Sequence, residues 1–289
     1  MRIHQATGLR QAARRGKPGE SLGIVSGKGG VGKSTLALNL ALAAAEQGVA
    51  TLLVDGDAGL ANQDLLMGLA PSWDLSDYRA GAVALQETLC AGPMGLRLLV
   101  VGEDGKCGDA LAAALARRGD AELQALLSET PLSVFDLGAG IGSAVLDVAQ
   151  RCRRVWLVAT PEPTSLADAY ATAKRLWARS PELAIELIVN RSPDRATAKR
   201  THQALDRLTK RFLDRGLPLR GVLPEDSAMR GAVLRQKPLL LDAPRSVLST
   251  RLRSLAESFL EEAQAPSAPF SSSSSSDSEN QGRWARSAR

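Results

Sequence analysis

The sequence predicts an α/β fold with a mostly parallel central sheet and helices on both faces. Short apolar runs of strand length alternate with longer helical patterns, which is the rhythm of successive β-α-β units. Ala, Leu, Val and Gly dominate while aromatic residues make up only 3% of the chain, a composition suited to Ala-rich helices lying close on a sheet buried on both sides. Between the first strand-like run and the first helical one lies a glycine-rich stretch, Gly27 to Gly32, in strand–loop–helix context.

The elements follow in order. A basic, polar lead-in covers residues 1–20 and ends at the breaker Gly16-Lys17-Pro18-Gly19. Leu22-Gly23-Ile24-Val25-Ser26 reads as the first strand, so the folded domain is expected from Ser21. Further strands are expected at 50–54, 96–101, 132–136, 154–160, 185–190 and 219–223. At 247–260, Val247, Leu248, Leu252, Leu255, Ala256 and Phe259 fall on one helical stripe, expected to cover the sheet rather than to attach to a membrane. Beyond Glu262 the sequence turns Pro- and Ser-rich, with serine at every position from 271 to 276, too polar to order itself by burial. The expected organisation is a flexible lead-in at 1–20, a domain at 21–263 and a disordered tail at 264–289.

Composition narrows the setting. Hydrophobic residues form 44% of 289, ample for a buried core. The net charge of +5 is concentrated at the ends, in Arg2, Arg10, Arg14, Arg15 and Lys17 and again in Arg283, Arg286 and Arg289. Such ends read first as solvated tails, and second as contacts for anionic lipid, nucleic acid or an acidic partner. Cys90, Cys107 and Cys152 are odd in number and widely spaced, which argues against a disulfide framework and against a zinc or iron–sulfur site, and for a reducing cytoplasm. No apolar run reaches the roughly 18–20 residues that span a bilayer, and the amino terminus lacks a signal-peptide core; membrane contact is expected to be peripheral.

The chemistry centres on Gly27-Lys28-Gly29-Gly30-Val31-Gly32-Lys33-Ser34-Thr35, which satisfies G-x-x-x-x-G-K-[ST]. Its glycines let backbone N–H groups wrap phosphate oxygens, Lys33 neutralises the β- and γ-phosphates, and the Ser34 hydroxyl is offered to Mg²⁺. The same stretch fits the dinucleotide fingerprint G-x-G-x-x-G through Gly27, Gly29 and Gly32, with Asp55 in the ribose position. A lysine and serine directly after the last glycine answer a triphosphate with Mg²⁺ and are superfluous for NAD, so ATP is expected. Asp55 and Asp57 leave the second strand at its carboxyl end and Asp136 leaves another at the same edge; beside a phosphate loop these serve the metal and the attacking water. Asn190 ends a strand where its amide can pair with a purine edge. Arg191 and Pro193 stand where a guanine-reading N-K-x-D needs lysine and aspartate, which favours ATP over GTP.

Lys28, placed before Gly29-Gly30-Val31-Gly32-Lys33-Ser34, makes the motif resemble the deviant Walker sequence of the MinD/ParA ATPases, P-loop NTPases of the SIMIBI type. The likeness continues through Asp55-Gly56-Asp57-Ala58-Gly59-Leu60-Ala61-Asn62-Gln63-Asp64 and Asp136-Leu137-Gly138-Ala139-Gly140, and spans about residues 22–260. It implies a slow Mg-dependent ATPase activated by homodimerisation, with Lys28 reaching the partner's phosphates. It further implies that Asp57 positions the hydrolytic water, Asp136 supports Mg²⁺ through water, Asn190 reads adenine, and Pro224, in Gly221-Val222-Leu223-Pro224-Glu225-Asp226, lies near the base. Within that family, the segment from Thr160 to Tyr170 and the leading Gln5-Ala6-Thr7-Gly8-Leu9-Arg10 are similar to the flagellar number regulators, the FlhG/FleN branch. There a D-Q-A-x-x-L-R segment stimulates the signal-recognition-particle-type GTPase FlhF; Gln5, Ala6, Leu9 and Arg10 match and His4 replaces the aspartate. The branch also implies contacts with flagellar switch-complex proteins or a transcriptional activator, and a polar or peripherally membrane-associated ATP state. Two rivals stand beside it: a ParA-like partitioning ATPase that binds nonspecific DNA through Arg195, Lys199, Arg200, Arg207, Lys210 and Arg211, and a MinD-like septum-site regulator.

Overall fold

The computed structural model describes residues 19–57, 62–102, 107–116 and 119–264. Gln5, Leu9 and Arg10 in the lead-in, and the serine-rich tail from 265 onward, lie outside the described residues. The strands are β1 (Glu20–Ser26), β2 (Thr51–Gly56), β3 (Leu89–Ala91), β4 (Arg97–Val100), β5 (Leu132–Ala139), β6 (Arg154–Ala159), β7 (Ala184–Ser192) and β8 (Leu219–Pro224). The helices are α1 (Lys33–Glu46), α2 (Gln63–Met67), α3 (Leu75–Arg79), α4 (Cys107–Ala114), α5 (Ala121–Glu129), α6 (Ser143–Ala149), α7 (Pro163–Arg179), α8 (Arg195–Leu213), α9 (Ser227–Leu234), α10 (Leu239–Asp242) and α11 (Val247–Gln264).

The strands form one sheet in the order β3-β4-β2-β5-β1-β6-β7-β8. Every neighbouring pair is parallel except β3 with β4. Seven strands stand where the apolar runs predict them. The addition is β3, a three-residue edge strand that no run of strand length announces; it forms by antiparallel pairing of Leu89, Cys90 and Ala91 with Leu99, Leu98 and Arg97.

Strand pleating divides the interior into two cores. Leu22 and Ile24 of β1, Leu53 of β2, Val134 of β5 and Trp156 of β6 face one core, closed by α1, α10 and α11. Val25, Leu52, Val54, Phe135 and Leu157 face the other, closed by α4, α5, α6, α7 and α8. Helix α1 is apolar nearly all round and is buried from Leu36 through Ala45, as expected of a helix enclosed by the sheet and by neighbouring helices. Beside it on the same face lies α11, which buries Leu248, Leu252, Leu255, Ala256 and Phe259 and sets Phe259 edge-on to Trp156, centroids 5.3 Å apart. The last helix therefore covers the sheet, as its apolar stripe requires. Among the described residues no helix is long and apolar enough to cross a membrane.

Parallel pairing sends the carboxyl ends of β1, β2, β5, β6, β7 and β8 to one edge, the edge where open α/β sheets bind ligands. The register that aligns Asp55 of β2 with Asp136 of β5 sets both acids at one level. Their parity with Leu53 and Val134 turns both towards the face that α1 covers.

Candidate functional site

The loop from Gly27 to Gly32 carries the backbone geometry that its composition predicts. Gly30 and Gly32 adopt φ of +77° and +89°, values that side chains rarely tolerate. A Cβ on Gly32 would stand 2.4 Å from Asn190 Nδ2, and one on Gly27 would stand 2.3 Å from the backbone carbonyl of Asp168. At Gly29 and Gly30 a Cβ would meet nothing within 4 Å. The middle of the loop is thus an open cradle and its two ends are tightly packed. Helix α1 begins directly behind it with no side-chain cap and no acidic residue in its first turn, leaving its backbone N–H groups and positive end to an anion. The outer wall is pinned by hydrogen bonds: Asn190 Nδ2 donates to Val31 O at 2.8 Å, Arg191 to Gly30 O at 3.0 Å, Ser26 Oγ to Lys28 O at 2.9 Å and Thr35 Oγ1 to Gly32 O at 3.0 Å.

Lys33 is the charged centre. Its side chain is 6% exposed and its ammonium lies 2.7 Å from Asp136 Oδ1 and 3.2 Å from Asp57 Oδ2. Burial works to lower its pKa, but the two carboxylates outweigh burial and hold it above the ordinary value. In this arrangement the carboxylates satisfy the cation that the motif assigns to phosphate, and Ser34 Oγ lies 3.5 Å from the same nitrogen. Asp55, behind them, accepts hydrogen bonds from the backbone N–H of Asn62 and Gln63, both at 2.9 Å, and of Asp57 at 3.4 Å. Burial foremost, and then the charge of Asp136, push the Asp55 pKa up to about 7 against those bonds. A divalent cation alongside would favour its carboxylate form.

Among the described residues no group of three or more His, Cys, Asp or Glu gathers tightly enough to cage a metal ion. A magnesium site completed by phosphate oxygens asks less of the protein, a hydroxyl and one or two carboxylates. Ser34, Asp55 and Asp136 fit it, and the open glycine cradle fits the phosphates.

Other expected residues are placed differently. Lys28 is half-exposed and bound within its own chain, 3.0 Å from Glu162 Oε2 and 3.3 Å from Thr164 Oγ1. The amide nitrogen of Asn190 braces the phosphate loop at Val31, so the part assigned to base reading is engaged with backbone here. Pro224 ends β8 beside Ser192 of β7, on the ligand edge but outside the hydrogen-bonded cluster. Two participants lie in segments that carry the resemblance but had no role assigned from the sequence. Glu162 holds Lys28, and Gln63 is fully buried against Asp136 and Ser34; each acts on residues far along the chain.

The fold and the loop define a phosphate-loop nucleotide-binding α/β protein. The chain belongs to the family of CobQ/CobB/MinD/ParA nucleotide-binding domains, whose model matches residues 22–239. It is similar to the antiactivator FleN of Pseudomonas aeruginosa, 34% identical over 83% of this chain and 86% of FleN. Similarity to the flagellum site-determining protein YlxH of Helicobacter pylori is 30% identity over 81% of this chain and 80% of that protein. The solved structure of the septum site-determining protein MinD complexed with Mg-ADP, from Pyrococcus horikoshii, superposes with a TM-score of 0.71 at 25% identity, over 85% of this chain and 97% of that one.

Proposed function

We propose that this chain is a slow, Mg-dependent ATPase that works as a dimerisation switch and regulates the placement and number of flagella. The observation that carries the reading is the cluster of Lys33 with Asp136 and Asp57 under an open glycine loop. Lys33 exchanges its two carboxylates for the β- and γ-phosphates, which returns Asp57 to orient the attacking water and Asp136 to the metal side. Mg²⁺, held through Ser34 with Asp55 and Asp136 behind it, would neutralise charge on the phosphates. Lys28, released from Glu162 and Thr164, acts on the partner's phosphates in the manner of an arginine finger. ATP binding then stabilises the dimer and hydrolysis dissolves it, so the output is a change of partner surface rather than a metabolite.

Similarity to an antiactivator and to a flagellum site-determining protein supports the flagellar role. By the resemblance of its Gln5, Leu9 and Arg10 to the D-Q-A-x-x-L-R segment, the lead-in stimulates the signal-recognition-particle-type GTPase FlhF. Switch-complex proteins or a transcriptional activator read the ATP state, which gathers at a pole or at the membrane surface of the cytoplasm. The test is light scattering of the full chain with ATP or ADP, alongside GTP hydrolysis by the GTPase with and without a peptide of residues 1–20. A dimer that forms with ATP alone, and persists in Asp57→Ala, is the expected result; wild-type hydrolysis by Asp57→Ala would sink the assignment of the water-positioning acid. Stimulation lost on Gln5→Ala and Leu9→Ala is expected for the peptide.

One feature favours a partitioning reading. Arg195, Lys199, Arg200, Arg207, Lys210 and Arg211 are all exposed on the single helix α8, a surface able to meet phosphate backbones. Salt-sensitive binding of the ATP dimer to random duplex DNA would shift the assignment there.

A further inference from the structure

Gln63 opens α2 directly after the loop that leaves β2, and it is 0% exposed. Its backbone N–H donates to Asp55 Oδ2 at 2.9 Å. Its side-chain nitrogen donates to Asp136 Oδ2 at 2.7 Å and to the backbone oxygen of Ser34 at 3.0 Å. One residue therefore touches all three positions on the magnesium side of the site. The orientation of its amide is set by chemistry: both acceptors need N–H donors, and the flipped amide would turn an oxygen towards a carboxylate and a carbonyl. That leaves Oε1 buried, with no hydrogen-bond partner among the described residues. A buried acceptor in a polar site is ordinarily satisfied by a donor that arrives with a ligand or by an ordered water.

We propose that Gln63 is a positioning residue for Mg²⁺: it holds the Asp136 carboxylate and the start of α1 in register, and its Oε1 accepts a hydrogen bond from a water of the hydrated ion. The inference rests on the Mg·nucleotide reading above. Asp136 Oδ1 is engaged by Lys33, so Gln63 is what orients the other oxygen. When Lys33 moves to the phosphates, Gln63 remains as the fixed partner of Asp136. The same residue also holds Asp55, through its backbone N–H, so both acids of the magnesium side are tied to one position. Groups that orient a metal's ligands affect metal affinity more than they affect the fold.

The experiment measures equilibrium binding of a fluorescent ADP analogue to the full chain across a Mg²⁺ series, with an EDTA arm. Gln63→Met keeps the length and burial of the side chain and removes its hydrogen bonds. Its Mg²⁺ midpoint is expected to rise about tenfold or more, while affinity in EDTA stays at the wild-type value. Should that variant melt too low to titrate, Gln63→Asn, which keeps the amide and withdraws it by one methylene, is expected to raise the midpoint in the same direction. An unchanged midpoint in a folded variant, or an equal loss of affinity with and without Mg²⁺, overturns the proposal and leaves the nucleotide site standing. Wild-type chain that binds nucleotide with no Mg²⁺ dependence overturns the site reading and this inference together.

Discussion

Two glycines of the phosphate loop, Gly27 and Gly29, do different work. Gly27 packs so closely on α7 that Ala must displace backbone at Asp168, whereas Gly29 faces open space. Gly27→Ala is expected to lower stability by about 1–3 kcal/mol through overpacking, read as a drop of roughly 2–4 °C in Tm per kcal/mol. Gly29→Ala is expected to melt within about 0.5 kcal/mol of wild type, yet to lose nucleotide affinity, because its methyl group enters the space left for phosphate; a melt paired with a nucleotide titration separates the two. The loop, Lys33 and Ser34 were legible because their spacing is local, and the three aspartates because each stands at the end of an apolar run of strand length; in both cases the chemistry is dictated by phosphate. Gln63 and Glu162 were not, since they meet Asp136 and Lys28 at separations of 73 and 134 residues. Only packing brings such pairs together.

Among the elements, α11 shows how much a single helix end can depend on charge. Glu262 accepts from Arg154 at 2.9 Å and also from Arg220, whose guanidinium lies over the rings of both Trp156 and Phe259. Burial raises the Glu262 pKa, but its bonds to Arg220 and Arg154 prevail and hold it below the ordinary glutamate value. A depressed folded-state pKa means stability that is present above the unfolded value and lost as pH falls through the folded one. Acidification below about pH 4.5 is therefore expected to loosen the end of α11 in wild type; Glu262→Gln should remove that part of the acid limb in melts from pH 7 to 3. At neutral pH the substitution should cost about 1 kcal/mol or less, because Glu262 is nearly half-exposed and screened, and added salt should narrow the difference. The apolar stripe of α11 announced its burial, and the charged clamp did not, since Arg154 and Arg220 lie on β6 and β8. The edge strand β3 was silent for a related reason: three residues carry no periodicity, and β4 supplies the pairing that makes them a strand.

For the whole molecule, the decisive contact is one that the single chain makes with itself. The ion pair of Lys28 with Glu162 leaves both side chains well exposed, at 42% and 60%, so it contributes about 1 kcal/mol or less to the monomer. Lys28→Ala is accordingly expected to leave the melting temperature within a few degrees of wild type and to abolish ATP-dependent dimerisation, as measured by light scattering over a protein dilution series. A variant that dimerises normally with ATP would show that Lys28 has no role across an interface.

The local pattern of the chain was enough for the α/β class, seven strands, the covering helix and the phosphate loop, because periodicity, glycine placement and strand-end acids follow from backbone geometry and from the charge of phosphate. Strand order, the common level of Asp55 and Asp136, the clasp on Lys28 and the buried amide of Gln63 were decided by tertiary structure alone. Each depends on which distant segments become neighbours when two cores close on the sheet, and that is a property of packing, with no counterpart in residue spacing.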